Sequence, residues 1–161
     1  MKKVLFVILF AALLLCSACG KAEEPVLTHE VVSQPPDMVV TAAESSVTRI
    51  SYDANWIFLE KDGRELTTTR MADKTDRWWA MNPQLMTSGE TVVLTFSLPP
   101  DELSISRYSV TDGRQTFCEL TESGDLILTD GCWTYVCMAQ WTDESRPYHG
   151  WAKYFICIEK K

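Results

Sequence analysis

Toward its C-terminus the chain places Tyr135, Cys137, Ala139 and Trp141 at alternate positions, and after a polar stretch it places Ala152, Tyr154, Ile156 and Ile158 the same way. A period of two marks an extended strand with one buried face, because successive side chains leave a pleated backbone on opposite sides. Two such runs joined by residues 142–150 predict an antiparallel hairpin with one continuous apolar face. Upstream, short alternating runs at 47–52, 55–60, 65–70, 91–98, 103–110, 116–120 and 126–129 are broken by Asp62-Gly63, Pro99-Pro100, Asp112-Gly113, Ser123-Gly124 and Asp130-Gly131. These dipeptides are turn formers, and no helical period is sustained over three turns. With 132–141 and 151–159 the pattern predicts an all-β domain, most simply a sandwich. The least regular part is 71–90, MADKTDRWWAMNPQLMTSGE, whose length inside a compact domain signals a functional loop or a structure the periodicity does not reveal.

Tyr135 stands two residues before Cys137, with Asp130-Gly131 just upstream. Over roughly 91–161 the chain resembles an immunoglobulin-like antiparallel β-sandwich, with 132–141 and 151–159 as its F and G strands and a tyrosine corner. The resemblance implies that the Tyr135 hydroxyl ties the turn at Asp130 back to the backbone. Two positions depart from antibody domains: Tyr108 stands where they bury a Trp, and strand 91–98 has no Cys to bridge to Cys137.

The first residues set a different constraint. Met1-Lys2-Lys3 leads into an unbroken apolar run from Val4 to Cys16, followed by Ser17-Ala18-Cys19-Gly20. The run has signal-peptide length and falls short of the roughly 20 residues that span a bilayer. The stretch Cys16-Ser17-Ala18-Cys19 resembles a bacterial lipoprotein signal, with Cys16 where that family expects Leu or Val. The resemblance implies a small lipoprotein of the Gram-positive type, cut before Cys19, diacylated and palmitate-anchored there, and held on the extracytoplasmic face of the cell membrane. A plain secretory signal and an uncleaved anchor helix are the alternatives. The expected organisation is a signal peptide over 1–18, a lipidated N-terminus and Pro-bearing flexible tether over 19–46, and the sandwich over 47–161. Such a tether averages roughly 25 to 30 Å end to end. The short piece Met38-Val39-Val40 could instead add an edge strand.

Removing residues 1–18 takes away two lysines and no acid, so the net charge of −7 becomes −9. That field repels nucleic acid, anionic headgroups and anionic wall polymers. Four cysteines remain beyond Cys19, and an even number in an exported domain favours two disulfides. If Tyr135, Cys137 and Trp141 point inward, Cys132 points outward and shares that face with Cys157, which leaves Cys118 to meet Cys137 inside. A four-thiolate zinc site lacks the close paired spacing it would need, and an anaerobic host could keep the thiols reduced.

Candidate chemistry is sparse. The only histidines are His29 and His149, the latter in the loop SRPYHG, which reads as a polar turn rather than a general base. Asp73 and Asp76 lack the ligand density of a calcium loop, so no metal, cofactor or catalytic set is expected. The aromatics Trp78, Trp79, Tyr148 and Trp151 are the better lead, because an exposed ring can stack on a sugar or anchor a protein partner. On an extended segment Trp78 and Trp79 would point opposite ways, leaving at most one readily buried. The alternative is that the loop folds over the sheet and both rings plug it. The expectation is thus a non-catalytic module for an unknown surface protein or glycan. The alternative is an envelope enzyme or accessory acting on polysaccharide, with two carboxylates flanking an aromatic groove.

Overall fold

The computed structural model describes residues 33–43, 45–72 and 77–161. The leader, Cys19 and the first part of the expected tether lie outside these residues, as do Asp73 and Asp76. The described chain forms strands β1 (Met38–Thr41), β2 (Ser46–Arg49), β3 (Asp53–Leu59), β4 (Glu65–Arg70), β5 (Leu85–Thr87), β6 (Thr91–Phe96), β7 (Glu102–Ser109), β8 (Gln115–Phe117), β9 (Leu126–Ile127), β10 (Gly131–Trp141) and β11 (Tyr148–Lys160), with no helix among them. The strands make two sheets. One runs β2-β1-β6-β9 and the other β4-β3-β11-β10-β7-β8, with β5 paired to β11. All pairings are antiparallel except the last, in which Leu85 to Thr87 run alongside Ile158 to Lys160.

Alternation sorts the core. Met38, Val40, Val92, Phe96 and Leu126 of the smaller sheet are buried, as are Trp56, Tyr135, Cys137, Trp141, Tyr154 and Ile156 of the larger. Phe96 joins the two layers, meeting Trp141 edge-on at 6.2 Å and Tyr154 at 5.5 Å between ring centroids. The polar tips of the buried rings find acceptors, as they must in a medium without water. The Trp141 indole N–H donates to the Leu98 carbonyl at 3.1 Å and the Tyr154 hydroxyl to the Pro36 carbonyl at 2.5 Å.

That last bond bears on the N-terminal boundary, where the structure corrects the expectation of a tether reaching residue 46. β1 lies between β2 and β6, and Met38 and Val40 are fully buried, so this segment is an interior strand of the domain rather than tether or edge. Four residues after a Pro-Pro pair are too few for alternation to stand out. β11 is also longer than expected. It begins at Tyr148, because Gly150 continues the strand instead of ending a loop. Gly150 pairs with Trp56 on one side and Trp141 on the other, and with no side chain between them the two indoles meet at 5.1 Å.

Along β11 every residue from Tyr154 to Ile158 is buried. A strand with one solvated face would alternate, so its outer face here is covered. The cover is the segment from Arg77 to Thr87.

Candidate functional site

One edge of β11 carries two strands in succession. β3 pairs with Tyr148 to Lys153 and β5 with Ile158 to Lys160, which leaves the stretch between them without a strand partner on that edge. Its backbone groups are met by other means. The Tyr52 N–H donates to the Lys153 carbonyl at 2.7 Å, and Arg49 Nε donates to the Phe155 carbonyl at 2.8 Å. The Gln84 N–H donates to the Cys157 carbonyl at 2.8 Å, while the Cys157 N–H donates to Gln84 Oε1 at 3.3 Å. The segment before β5 is thus laced onto the sheet by the edge groups that β3 leaves free.

Trp78 and Trp79 begin this strap. The Ala80 N–H donates to the Arg77 carbonyl at 2.9 Å, closing a turn, so the adjacent indoles do not point opposite ways as on a strand. Their rings stand edge to face, 5.8 Å apart, and both are half-buried against the sheet. Trp78 packs on Phe155 at 5.1 Å and on Tyr108 at 4.7 Å, and Tyr52 closes on Phe155 from the other side at 4.5 Å. Trp79 lies against Gly113 in the turn after β7, where any Cβ would stand 2.5 Å from its Cε2 atom. Its carbonyl accepts the Thr134 hydroxyl at 2.7 Å, and its buried indole N–H has no hydrogen-bond partner among the described residues.

Tyr52, Arg77, Trp78, Ala80, Met81 and Phe155 together line a hollow of about 240 Å³. Three of the six are aromatic, with Phe155 buried beneath the others, and Arg77, exposed, is the charged residue among them. Burial raises the Tyr108 hydroxyl above its ordinary range, so that ring stays neutral behind Trp78.

The other two aromatic candidates are not brought to this place. Tyr148 is buried, stacked on Trp56 at 5.5 Å with the rings 15° from parallel, and belongs to the core. Trp151 pairs with Asn55 and Gln140 and is half-buried. His149 is paired with Ile57 within β11, not held at a loop tip, and lines a second, smaller hollow of about 90 Å³ with Glu65, Glu144 and Arg146. The sequence did not mark Tyr52 or Phe155, and it set Tyr108 at a core position rather than against Trp78. The available signal was Phe155 itself, a large apolar ring at the outward parity it shares with Lys153 and Glu159, which implies a cover over that face.

The Tyr135 hydroxyl accepts the Thr129 N–H at 3.3 Å, tying the turn before β10 to the strand. Asp130 contributes its carbonyl to the Trp133 indole at 2.9 Å and its carboxylate to Lys160 at 2.9 Å. Cys118, Cys132, Cys137 and Cys157 are all free thiols in this structure, where two bridges were expected. Cys132 and Cys157 nonetheless touch, with their sulfurs 3.3 Å apart. Burial pushes the Cys137 and Cys157 thiols up to about 12 and that of Cys118 to about 11. Among the described residues no three His, Cys, Asp or Glu side chains converge as metal ligands, and no helix is long and apolar enough to cross a membrane. No protein-family model, curated protein or solved structure matches the chain.

Proposed function

We propose that this protein is a lipid-anchored, extracytoplasmic binding module, held to the outer membrane face through Cys19 and taking its ligand in the aromatic hollow. The observation that carries the reading is the hollow's construction. A strap that covers the outer face of a sheet could have sealed it with aliphatic side chains; here it leaves a concavity walled by Tyr52, Trp78 and Phe155 with a guanidinium beside it. Rings of this kind stack on flat apolar faces and Arg fixes an anion, so the fitting ligand is a planar or pyranose ring bearing a carboxylate or similar group. An acidic glycan of the envelope and an acidic, aromatic segment of a surface protein both have that chemistry. The field of the cleaved protein, at −9, opposes an anionic ligand, so Arg77 is the group that has to offset it locally.

Two further parts belong to the proposal. The sandwich is of the immunoglobulin-like type, with β7, β10 and β11 side by side in one sheet, β1, β6 and β9 in the other, and the Tyr135 hydroxyl bonded to the chain before its strand. The reading as an enzyme acting on polysaccharide draws no support from the hollow, whose described lining residues include no carboxylate. The test has two arms. Protein recovered from the membrane fraction should yield an N-terminal peptide beginning at a diacylglyceryl-modified Cys19. Titration of tryptophan fluorescence with oligosaccharides containing uronic acids should give saturable binding that Arg77→Ala weakens about tenfold, the scale of one charge-assisted contact. An unmodified N-terminus sinks the anchor; binding indifferent to Arg77→Ala sinks the hollow as the site.

A further inference from the structure

We propose that Cys132 and Cys157 are a reversible thiol–disulfide pair on the outer face of the larger sheet, oxidised by exchange with an external disulfide, while Cys118 and Cys137 stay thiols. β10 and β11 are in continuous register there, with Cys132 opposite Glu159 and Thr134 opposite Cys157, so the two cysteines are diagonal neighbours across one ladder. Diagonal pairs are not bridged by default, since their Cα atoms ordinarily sit somewhat beyond the spacing a disulfide spans. In this sheet the two sulfurs have already met at 3.3 Å. Closing them to the bond length of about 2.05 Å takes side-chain rotation and a slight drawing together of the two strands at this end of the ladder.

Contact rather than access distinguishes this pair, since each pair joins a half-buried thiol to a fully buried one but the Cys132 and Cys157 sulfurs touch. Cys132 is half-buried at the start of β10, within reach of an external disulfide. Cys157 is buried, its backbone N–H and carbonyl both occupied by Gln84 of the strap. Cys118 is half-buried like Cys132, but Cys137 is fully buried between the sheets, so a bridge that uses it requires the sandwich to open. The reaction therefore has a fixed order. The Cys132 thiolate, having lost its proton to solvent, attacks one sulfur of the external disulfide, forming a mixed disulfide and expelling one thiolate. The Cys157 sulfur then loses its proton and attacks Cys132, releasing the second thiolate. The protein loses two protons and two electrons, and the external disulfide takes them up to become two thiols. The bridge fastens β10 to β11 beside the two points where the strap docks, Thr134 under the Trp79 carbonyl and Cys157 under Gln84.

Only the supply of oxidant in the cell rests on the extracytoplasmic reading; the pair itself is tested without it. Full-length protein is reduced, freed of reductant, equilibrated with oxidised glutathione, then unfolded in iodoacetamide and mapped by peptide mass. The expected result is a cross-linked peptide joining Cys132 to Cys157, with Cys118 and Cys137 alkylated. Cys157→Ser should instead accumulate glutathione on Cys132, the mixed disulfide stopped halfway. Should that variant not fold, the wild-type map decides alone. Alkylation of both Cys132 and Cys157 after equilibration, or a bridge that uses Cys118 or Cys137, overturns the proposal. A bridge that forms with glutathione but is absent from membrane-recovered protein upholds the pair and counts against the oxidising, extracytoplasmic address.

Discussion

Replacing Gly150 by Ala tests the central claim about how β3 docks on the long strand β11. Gly150 has φ of +133°, a conformation L-residues rarely adopt. A Cβ there would collide with the Asn55 carbonyl oxygen and stand 3.2 Å from both the Asn55 carbonyl carbon and the Trp56 Cα. These obstacles are backbone, so no side-chain rotation relieves them and β3 must lift away. The backbone conformation alone costs about 1–3 kcal/mol. Weakening the flanking ladder bonds, at about 1 kcal/mol each, adds roughly 2 kcal/mol. Loosening Trp56 from Trp141 and Tyr148, ring pairs at 5.1 and 5.5 Å, removes a further contribution of about 0.5–1.5 kcal/mol per pair. The expected loss is roughly 4 to 8 kcal/mol, a large share of the stability of an ordinary domain. Gly63→Ala is the control, since Gly63 has φ of +82° but nothing within 4 Å of its added Cβ. It should cost only the conformational part, about 1–2 kcal/mol. Guanidinium unfolding under reducing conditions, followed by tryptophan fluorescence and far-ultraviolet circular dichroism, gives both numbers. If the two variants agree within about 1 kcal/mol, the close approach of β3 to Gly150 is not what the structure says it is.

Three further outcomes are expected. Tyr135→Phe leaves the Thr129 N–H without its acceptor and should lower stability by about 1–2 kcal/mol; an unchanged denaturation midpoint would show that water replaces the hydroxyl. Trp78→Ala should cost about 2–4 kcal/mol through the lost rings of Phe155 and Tyr108, yet leave a cooperative fold; if it and Trp79→Ala each abolish folding, the strap is core and not a binding wall. The carboxyls of Asp62, Asp101, Asp112 and Asp143 titrate below their ordinary range, held down first by the backbone N–H groups of Arg64, Thr142 and Arg114 and, for Asp143, by the Ser145 hydroxyl. Depressed acid pKa values stabilise the folded state above the unfolded carboxyl pKa near 3.9, and that contribution disappears as pH falls through the lower folded values. Thermal midpoints should therefore fall steadily from pH 5 to pH 2, and a flat profile would mean these turns open without loss.

The strands legible in the sequence are those whose alternation runs long enough to be counted. Tyr135, Cys137, Ala139 and Trp141 do face the core, and the same parity set Cys132 and Cys157 on one outer face, where their sulfurs lie together. What the sequence hid has particular causes. β1 offers one turn of alternation, Met38 and Val40, directly after prolines, and its place between two strands depends on β6, far along the chain. β5 buries only Leu85 and pairs in parallel with the chain's last residues, which no local pattern announces. Gly150 reads as a loop residue because its value lies in the indoles on either side of it. The sequence leaves Trp78 and Trp79 open between a strand, which would send the rings opposite ways, and a loop folded over the sheet; only the turn between Arg77 and Ala80 decides for the second.

The misses at β5, Gly150 and the strap share an origin in β11, the longest strand, and they explain why a site arises where it does. β3 ends its pairing with β11 at the Asp53–Lys153 pair and β5 resumes it at Ile158, so backbone donors and acceptors of the intervening residues would be left exposed on an edge. Edge groups that are buried must be paired, and the chain pairs them with side chains and with a strap rather than with another strand. A strand would have brought a flat ladder and alternating side chains. The strap brings Arg77, Trp78 and Met81 over Tyr52 and Phe155 without filling the space between them. The hollow is thus a consequence of the interrupted pairing: extending β3 by even one more pair toward Tyr154 would move Tyr52 into the ladder and remove one wall. The same interruption puts Cys157 under Gln84, so the proposed thiol pair and the proposed ligand hollow share one floor. A disulfide at Cys132 and Cys157 would stiffen that floor without entering the hollow.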